Sequence, residues 1–307
     1  MDVCARAVFE LTDWSKWDKG AGMHELLIRA FRRTRFVEVL NLKLSLRVGN
    51  RRFRVPVMCG VVLAGIDEPW MIELLKHLLK HTSGLFVDVG INIGQTLAVV
   101  KTVAPSRHYM GFEPNPVCVS YVHELIRLNG LADCTIVPAA LHREDALLKL
   151  DLYHTYPADG TASIVENFRK DRSVVQRLIV PAYRFDNLGK YFGPLDIGVV
   201  KMDVEGAELD VLKGMRTAVE KNRPVIMMEV LPVYSSVNED RLRRQEELEG
   251  ELRTLGYALL RVRKDGRRFA GLENVPYIGI HGDLTRCDYV CLPRERRENL
   301  CAGAAVG

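Results

Sequence analysis

In "VVKMDVEGAELDVLKGM", Lys201, Asp203 and Glu205 alternate at the end of an apolar run. If the strand continues, period two puts all three on one face near its carboxyl end. Charges converging beside buried strand residues need a use beyond solvation, because unpaired burial is costly. A further apolar run, "PVIMMEVLPVY", ends in the lone acid Glu229. Neighbouring strands would carry Glu229 into the same pocket. Carboxylates beside a lysine suit proton removal from a hydroxyl, so Asp203, Glu205 and Glu229 are candidate bases. Lys201 would orient the oxygen or tune a neighbouring acid. The same three acids could instead hold Mg²⁺, which lowers a hydroxyl pKa. Glu208 stands apart: in the first turn of the next helix its charge is favoured by the dipole, which reads as capping.

The second dense stretch is "FVDVGINIGQT", Phe86 to Thr96, an apolar strand that runs through a glycine loop into a helix. Open α/β sheets bind ligands at such a turn. Where a dinucleotide fingerprint needs a glycine against the pyrophosphate, Asn92 stands between Gly90 and Gly94. Asp88 at the strand end would repel phosphate but attract an ammonium or bind hydroxyls. S-adenosylmethionine offers an ammonium, a carboxylate and a sulfonium, and no phosphate. Free N–H groups of the helix starting near Gly94, with Thr96, would take its carboxylate. Glu113, at the next strand end in "YMGFEPNP" with Asn115 beside it, follows Asp88 by 25 residues. An acid there can accept two hydrogen bonds from a ribose diol. In "IVPAALHRED", Ala139 and Ala140 leave space for an adenine ring at the third strand's rim.

These residues require strands and helices in alternation. The pattern predicts strands over 85–89, 108–113, 134–138, 197–202, 225–230, 257–262 and 287–292. Helices are expected near 94–103, 116–129, 206–220 and 238–255. The gap 140–195 is too long for a plain connection and reads as a β-rich, substrate-facing insertion between the third and fourth strands. Residues 1–80 read as an N-terminal cap of helices plus a β-hairpin, "KLSLRVGNRRFRV", turning at Gly49-Asn50. Residues 81–293 form the ligand-binding domain, and 294–307 a flexible tail.

The 307-residue chain carries a net charge of +4, with 48% hydrophobic and 27% charged residues. That balance belongs to a soluble globular protein and does not favour nucleic acid as a partner. "HELLIRAFRRTRF" reads as a short basic amphipathic helix, and the region from Arg29 to Arg54 could meet an anionic partner or membrane surface. No apolar run approaches the roughly 18 residues that span a bilayer, and no secretion signal is visible. The seven cysteines are scattered, which fits a reducing cytoplasm. Cys287 and Cys291 fall on one face of a strand and read as core.

"FVDVGINIGQT", "GFEPNP", "LHRED", "DGTASI", "IGVVKMDVEGAELDVLKG" and "VIMMEVLPVY", in that order, resemble the FkbM family of S-adenosylmethionine-dependent methyltransferases. The resemblance covers about residues 84–232. It implies a class I methyltransferase fold, Rossmann-like and doubly wound, with seven strands and the last antiparallel. It also implies O-methylation of a hydroxyl on a sugar, glycan or secondary metabolite, and it draws Ser163 toward the substrate. Ile91 stands where the family more often has alanine. Two other readings stay open: a nucleotide-cofactor-binding or scaffold protein without methyl transfer, and an NAD-dependent oxidoreductase.

Overall fold

The computed structural model describes residues 43–297. The basic amphipathic segment, the first half of the expected cap and the end of the expected tail lie outside the described residues. Strands β1 (Lys43–Val48) and β2 (Arg51–Pro56) pair antiparallel around Gly49-Asn50, as alternation and turn chemistry predict. Their apolar residues Leu46, Val48, Phe53 and Val55 are buried. Helix α1 (Trp70–Lys80) follows, with Leu74, Leu75 and Leu78 fully inside.

The α/β body then runs β3 (Leu85–Val89), α2 (Gln95–Val103), β4 (Tyr109–Phe112), α3 (Pro116–Asn129) and β5 (Cys134–Val137). An insertion carries β6 (Ala140–Leu141), β7 (Ala146–Leu152), β8 (Gln176–Tyr183) and the short α4 (Gly189–Phe192). The chain returns through β9 (Ile197–Met202), α5 (Glu208–Gly214), α6 (Arg216–Asn222), β10 (Val225–Glu229) and α7 (Glu239–Thr254). It closes with β11 (Tyr257–Asp265), β12 (Arg268–Asn274) and β13 (Asp288–Pro293).

The main sheet has the order β12-β11-β13-β10-β9-β3-β4-β5. Strands β5, β4, β3, β9 and β10 are parallel, and β13 enters antiparallel between β10 and β11. The order in which strands are added to the sheet therefore reverses between β3 and β9, which opens a crevice at their carboxyl ends. The doubly wound α/β class is as expected, with two corrections. An eighth strand, β12, pairs with β11; the sequence "RFAGLEN" hides it behind a glycine and polar residues. The helix expected over 206–220 breaks at Met215 into α5 and α6.

The strand-rich insertion forms its own sheet, in the order β6-β8-β7. Two cores flank the main sheet. One takes Phe86, Tyr109, Val199, Met227 and Val290 together with α1, α2 and the β1–β2 hairpin, so the hydrophobic core does not break at residue 80. The other takes Val87, Phe112, Val200, Ile226 and Tyr289 with Leu209, Leu212 and Leu248 of the helices behind. Cys287 and Cys291 are buried free thiols.

Candidate functional site

Strand alternation builds the site. On β3 the side chains of Phe86 and Asp88 share the face that carries the first core, and Lys201 is the register partner of Asp88 on β9. Lys201 is also the partner of Met227 on β10, which puts Glu229 two residues on, over the same face. Glu229 in turn faces Asp288 across β10 and β13. A cavity of about 700 Å³ opens above these strand ends. From the expected set, Gly90, Asn92, Thr96, Glu113, Asn115 and Ala140 line one part of it. Lys201, Asp203, Glu205 and Glu229 line the acidic part.

Four expected residues stand behind the wall. Asp88 is 0% exposed; the Tyr109 hydroxyl donates to its Oδ2, and Lys201 Nζ lies 3.7 Å from its Oδ1. It serves as a buried counter-ion beneath Lys201, not as a ligand contact. Burial pushes its carboxyl up, against the Lys201 charge and the Tyr109 bond. Ala139 is fully buried below the rim. Gly94 caps α2 at a φ of 86°, and a side chain there would press on Leu125. Ser163 is 1% exposed: its hydroxyl donates to the Glu205 carbonyl at 2.7 Å and accepts the Val165 N–H at 3.1 Å. Its place is to tether the Glu205 backbone, and the expected substrate contact is withdrawn.

The glycine loop is shaped by packing. A Cβ on Gly90 would sit 2.0 Å from the Asp203 carbonyl oxygen, so only glycine lets the two strand ends meet. Asn92 adopts a φ of 50° and donates its N–H to Glu113 Oε2 at 2.8 Å. Asn115 donates its N–H to the other oxygen, also at 2.8 Å. Glu113 is thus clamped by one backbone N–H on each oxygen, and each oxygen keeps a lone pair free. Burial pushes this carboxyl up to about 7, partly offset by the two N–H groups. The Asn115 side chain is spent on the scaffold: Oδ1 accepts the Val117 N–H to cap α3, and Nδ2 donates to Pro157 O. Thr96 turns its hydroxyl toward Met71 Sδ at 3.9 Å.

In the acidic part, Lys201 Nζ donates to Asp203 Oδ2 at 3.1 Å. Burial would lower the lysine, but Asp203 and Asp88 outweigh it and the ammonium is held charged. Arg169, from the insertion, holds Glu205 at 2.5 Å. Burial and Asp203 push Glu205 up to about 7 even so. Glu229 rises to about 10 through burial, then through Asp203 and Asp288. Glu208 accepts the Gly206 N–H at 3.1 Å, in keeping with a role at the helix start.

The structure adds residues that sequence reasoning passed over. Glu68 lines the cavity and is pushed up to about 7 by burial and by Asp288. Its loop is tied down by Gln95, which bonds Asp67 at 2.8 and 2.7 Å, and by Arg267 on Ile66 O at 2.9 Å. Before Pro69, Glu68 looks like an ordinary turn acid. His154 also lines the cavity, from the insertion. Among the described residues no group of three His, Cys, Asp or Glu side chains is arranged to hold a metal ion. Asp203, Glu205 and Glu229, the alternative Mg²⁺ ligands, are not gathered into such a group: the first two are drawn onto Lys201 and Arg169.

Comparison with known proteins meets this geometry. Methyltransferase 1 of Beauveria bassiana (strain ARSEF 2860) is 30% identical over 142 residues, covering 42% of this chain and 57% of that protein. Methyltransferase sdnD of Sordaria araneosa is 28% identical over 153 residues, covering 42% of this chain and 59% of that protein. The chain thus spans less than two thirds of the length of the curated relatives it matches. A crystal structure of Methyltransferase FkbM from Methylobacillus flagellatus KT aligns over 68% of this chain and 43% of that one, at 16% identity and a TM-score of 0.42. The family described as the Methyltransferase FkbM domain matches residues 88–259, from Asp88 on β3 into β11. That stretch is more than half of the chain, and the protein belongs to the FkbM methyltransferase-domain family.

Proposed function

We propose that this chain is an S-adenosylmethionine-dependent O-methyltransferase whose acceptor is a hydroxyl of a glycan or secondary metabolite, and that the cavity above β3, β4, β9 and β10 is its site. The observation that carries the reading is the Glu113 carboxylate, presented at the cavity wall with both oxygens fixed by backbone N–H groups. Its free lone pairs suit a ribose diol. The first turn of α2, where no side chain caps the backbone, suits a carboxylate. Gly90, Asn92 and Thr96 shape that wall, and Ala140 leaves room for a flat ring. When bound, the cofactor supplies a methyl group on a sulfonium sulfur.

The acidic part of the cavity then receives the acceptor. Lys201, held in place by Asp203, donates a hydrogen bond to its oxygen. Glu205 is set by Arg169 and by the Ser163 tether. Glu229, pushed up to about 10, keeps its proton at neutral pH and donates to the acceptor. Residues 62–68, within the proposed N-terminal cap of residues 1–80, line the cavity. A cytoplasmic setting is in keeping with the free thiols of Cys59, Cys118 and Cys134. No helix of the described residues is long and apolar enough to cross a membrane.

Calorimetric titration with S-adenosylmethionine and S-adenosylhomocysteine tests the cofactor, and tritiated-methyl transfer into a panel of glycans and hydroxylated small molecules tests the acceptor class. Saturable binding and label in an alkali-stable ether are expected. No binding of either nucleoside would overturn the reading.

A further inference from the structure

The insertion loop "YHTYPADGT" contributes a histidine whose surroundings are those of a base. Asp159 is 5% exposed and organises the loop. Its Oδ2 accepts the N–H groups of Tyr153 at 2.7 Å and His154 at 3.0 Å. Its Oδ1 accepts the N–H and hydroxyl of Thr161 at 2.9 and 2.8 Å and lies 3.0 Å from His154 Nδ1. Burial alone would raise this carboxyl, but the bonds from His154 and Thr161 hold it down at about 2. It is therefore ionised at neutral pH and can only accept. With the Thr161 hydroxyl proton given to Asp159, Nδ1, 3.0 Å from Asp159 Oδ1 and 3.2 Å from Thr161 Oγ1, carries the ring proton, and the basic lone pair sits on Nε2.

The ring is placed to use it. His154 lines the cavity, with its side chain 51% exposed. On Nε2 the structure shows only a long contact, 3.4 Å, from the exposed Arg172. The loop is anchored against the cofactor wall: Asn115 Nδ2 donates to Pro157 O at 2.8 Å, and Gly160 lies beside Asn92. Arg169, which holds Glu205, also donates to Thr161 O at 3.3 Å. Three of the cavity acids are less available as bases. Asp203 is committed to Lys201 and Glu205 to Arg169, while Glu229 holds its proton at neutral pH.

We propose that His154, oriented by Asp159, is the general base that takes the proton of the acceptor hydroxyl. The proposal rests on the methyltransferase reading above. His154 Nε2 accepts the hydroxyl proton as the acceptor oxygen bonds to the methyl carbon. The electron pair of the cleaved carbon–sulfur bond stays on sulfur, leaving a neutral thioether. The positive charge lost from sulfur appears on the imidazolium, next to the Asp159 carboxylate. Asp159 is a positioning residue, since it acts through His154.

The test uses the full chain and the variants His154→Gln and Asp159→Asn. Nitrogen-15 NMR of the His154 ring reads the tautomer without any turnover: the Nδ1–H form is expected in the wild type, and an Nε2–H form would overturn the proposal. Calorimetry with S-adenosylhomocysteine should give a Kd in His154→Gln within about twofold of wild type, which also shows that the variant folds. Tritiated-methyl transfer from S-adenosylmethionine, with a small-molecule cell extract as acceptor pool, should fall about 10²- to 10⁴-fold. Undiminished transfer in His154→Gln would overturn this proposal alone. A wild-type chain that binds neither nucleoside would overturn the methyltransferase reading together with it.

Discussion

Glu229 on β10 and Asp288 on β13 are register partners across an antiparallel ladder, so two carboxyls face one another on the cavity side of the sheet. Like groups directly opposite cannot both ionise cheaply. Lys264 partners Asp288, and Glu229 takes up the strain by holding its proton.

That pair makes stability pH-dependent. Burial first, then neighbouring acids, raises Glu229 from 4.5 to about 10 and Glu68 from 4.5 to about 7. A group raised in the folded state contributes stability that is complete below its unfolded pKa and is lost as pH rises through the folded one. The denaturant midpoint of the ligand-free protein should therefore fall between pH 4.5 and about 10. Glu229→Gln should flatten the part above about 7. A midpoint that climbs over this window would reject the assignment. Asp159, lowered to about 2, acts in the opposite sense at acid pH.

Lys201 and Asp88 should behave as one buried unit. Lys201→Met leaves Asp88 with an uncompensated charge at 0% exposure and should cost about 3–5 kcal/mol in chemical denaturation. Adding Asp88→Asn should recover a large part of that loss. A loss under about 1 kcal/mol for Lys201→Met, with no recovery in the double variant, would mean that the two do not interact.

Glu113 should govern cofactor affinity. Glu113→Ala removes the acceptor for a diol and frees the Asn92 and Asn115 N–H groups. Charged hydrogen bonds of this kind are worth about 1.5–3 kcal/mol, so binding of S-adenosylhomocysteine should weaken about 10- to 100-fold by calorimetry. Unchanged affinity would place the ribose elsewhere.

Ile91 and Gly111 should be coupled through volume. A Cβ on Gly111 would lie 2.2 Å from Ile91 Cδ1, so Gly111→Ala should destabilise by about 1–3 kcal/mol. Ile91→Ala in the same chain should relieve it, because the smaller side chain vacates that space. A strictly additive thermal-denaturation cycle would contradict this packing.

Much of the fold was legible locally. Apolar runs such as "FVDV" and "IGVVKM" name their strands because a central parallel strand is buried on both faces and so reads as a short continuous apolar run. The alternation of Lys201, Asp203 and Glu205 is not carried by a strand, since β9 ends at Met202; Asp203 reaches Lys201 from the loop that follows. "RFAGLEN" became β12 only because β11 offers it a ladder, which no local pattern states. Asp88 and Ser163 carry the right residue types, yet whether each faces ligand or scaffold depended on Tyr109, Lys201 and the Glu205 carbonyl reaching them from elsewhere in the chain.

What the sequence determined by itself is the order of strands and helices, the glycine loop and the presence of acids at the carboxyl ends of β3, β4, β9 and β10. Those follow from local periodicity and turn chemistry. Only the tertiary structure decided which carboxyls are spent on Lys201 and Arg169, which keep a proton, and that Glu68 and the His154–Asp159 pair join the cavity. The reason is physical: a side chain's charge state and free valence are set by what lies within a few ångströms, and here those neighbours come from residues far apart along the chain.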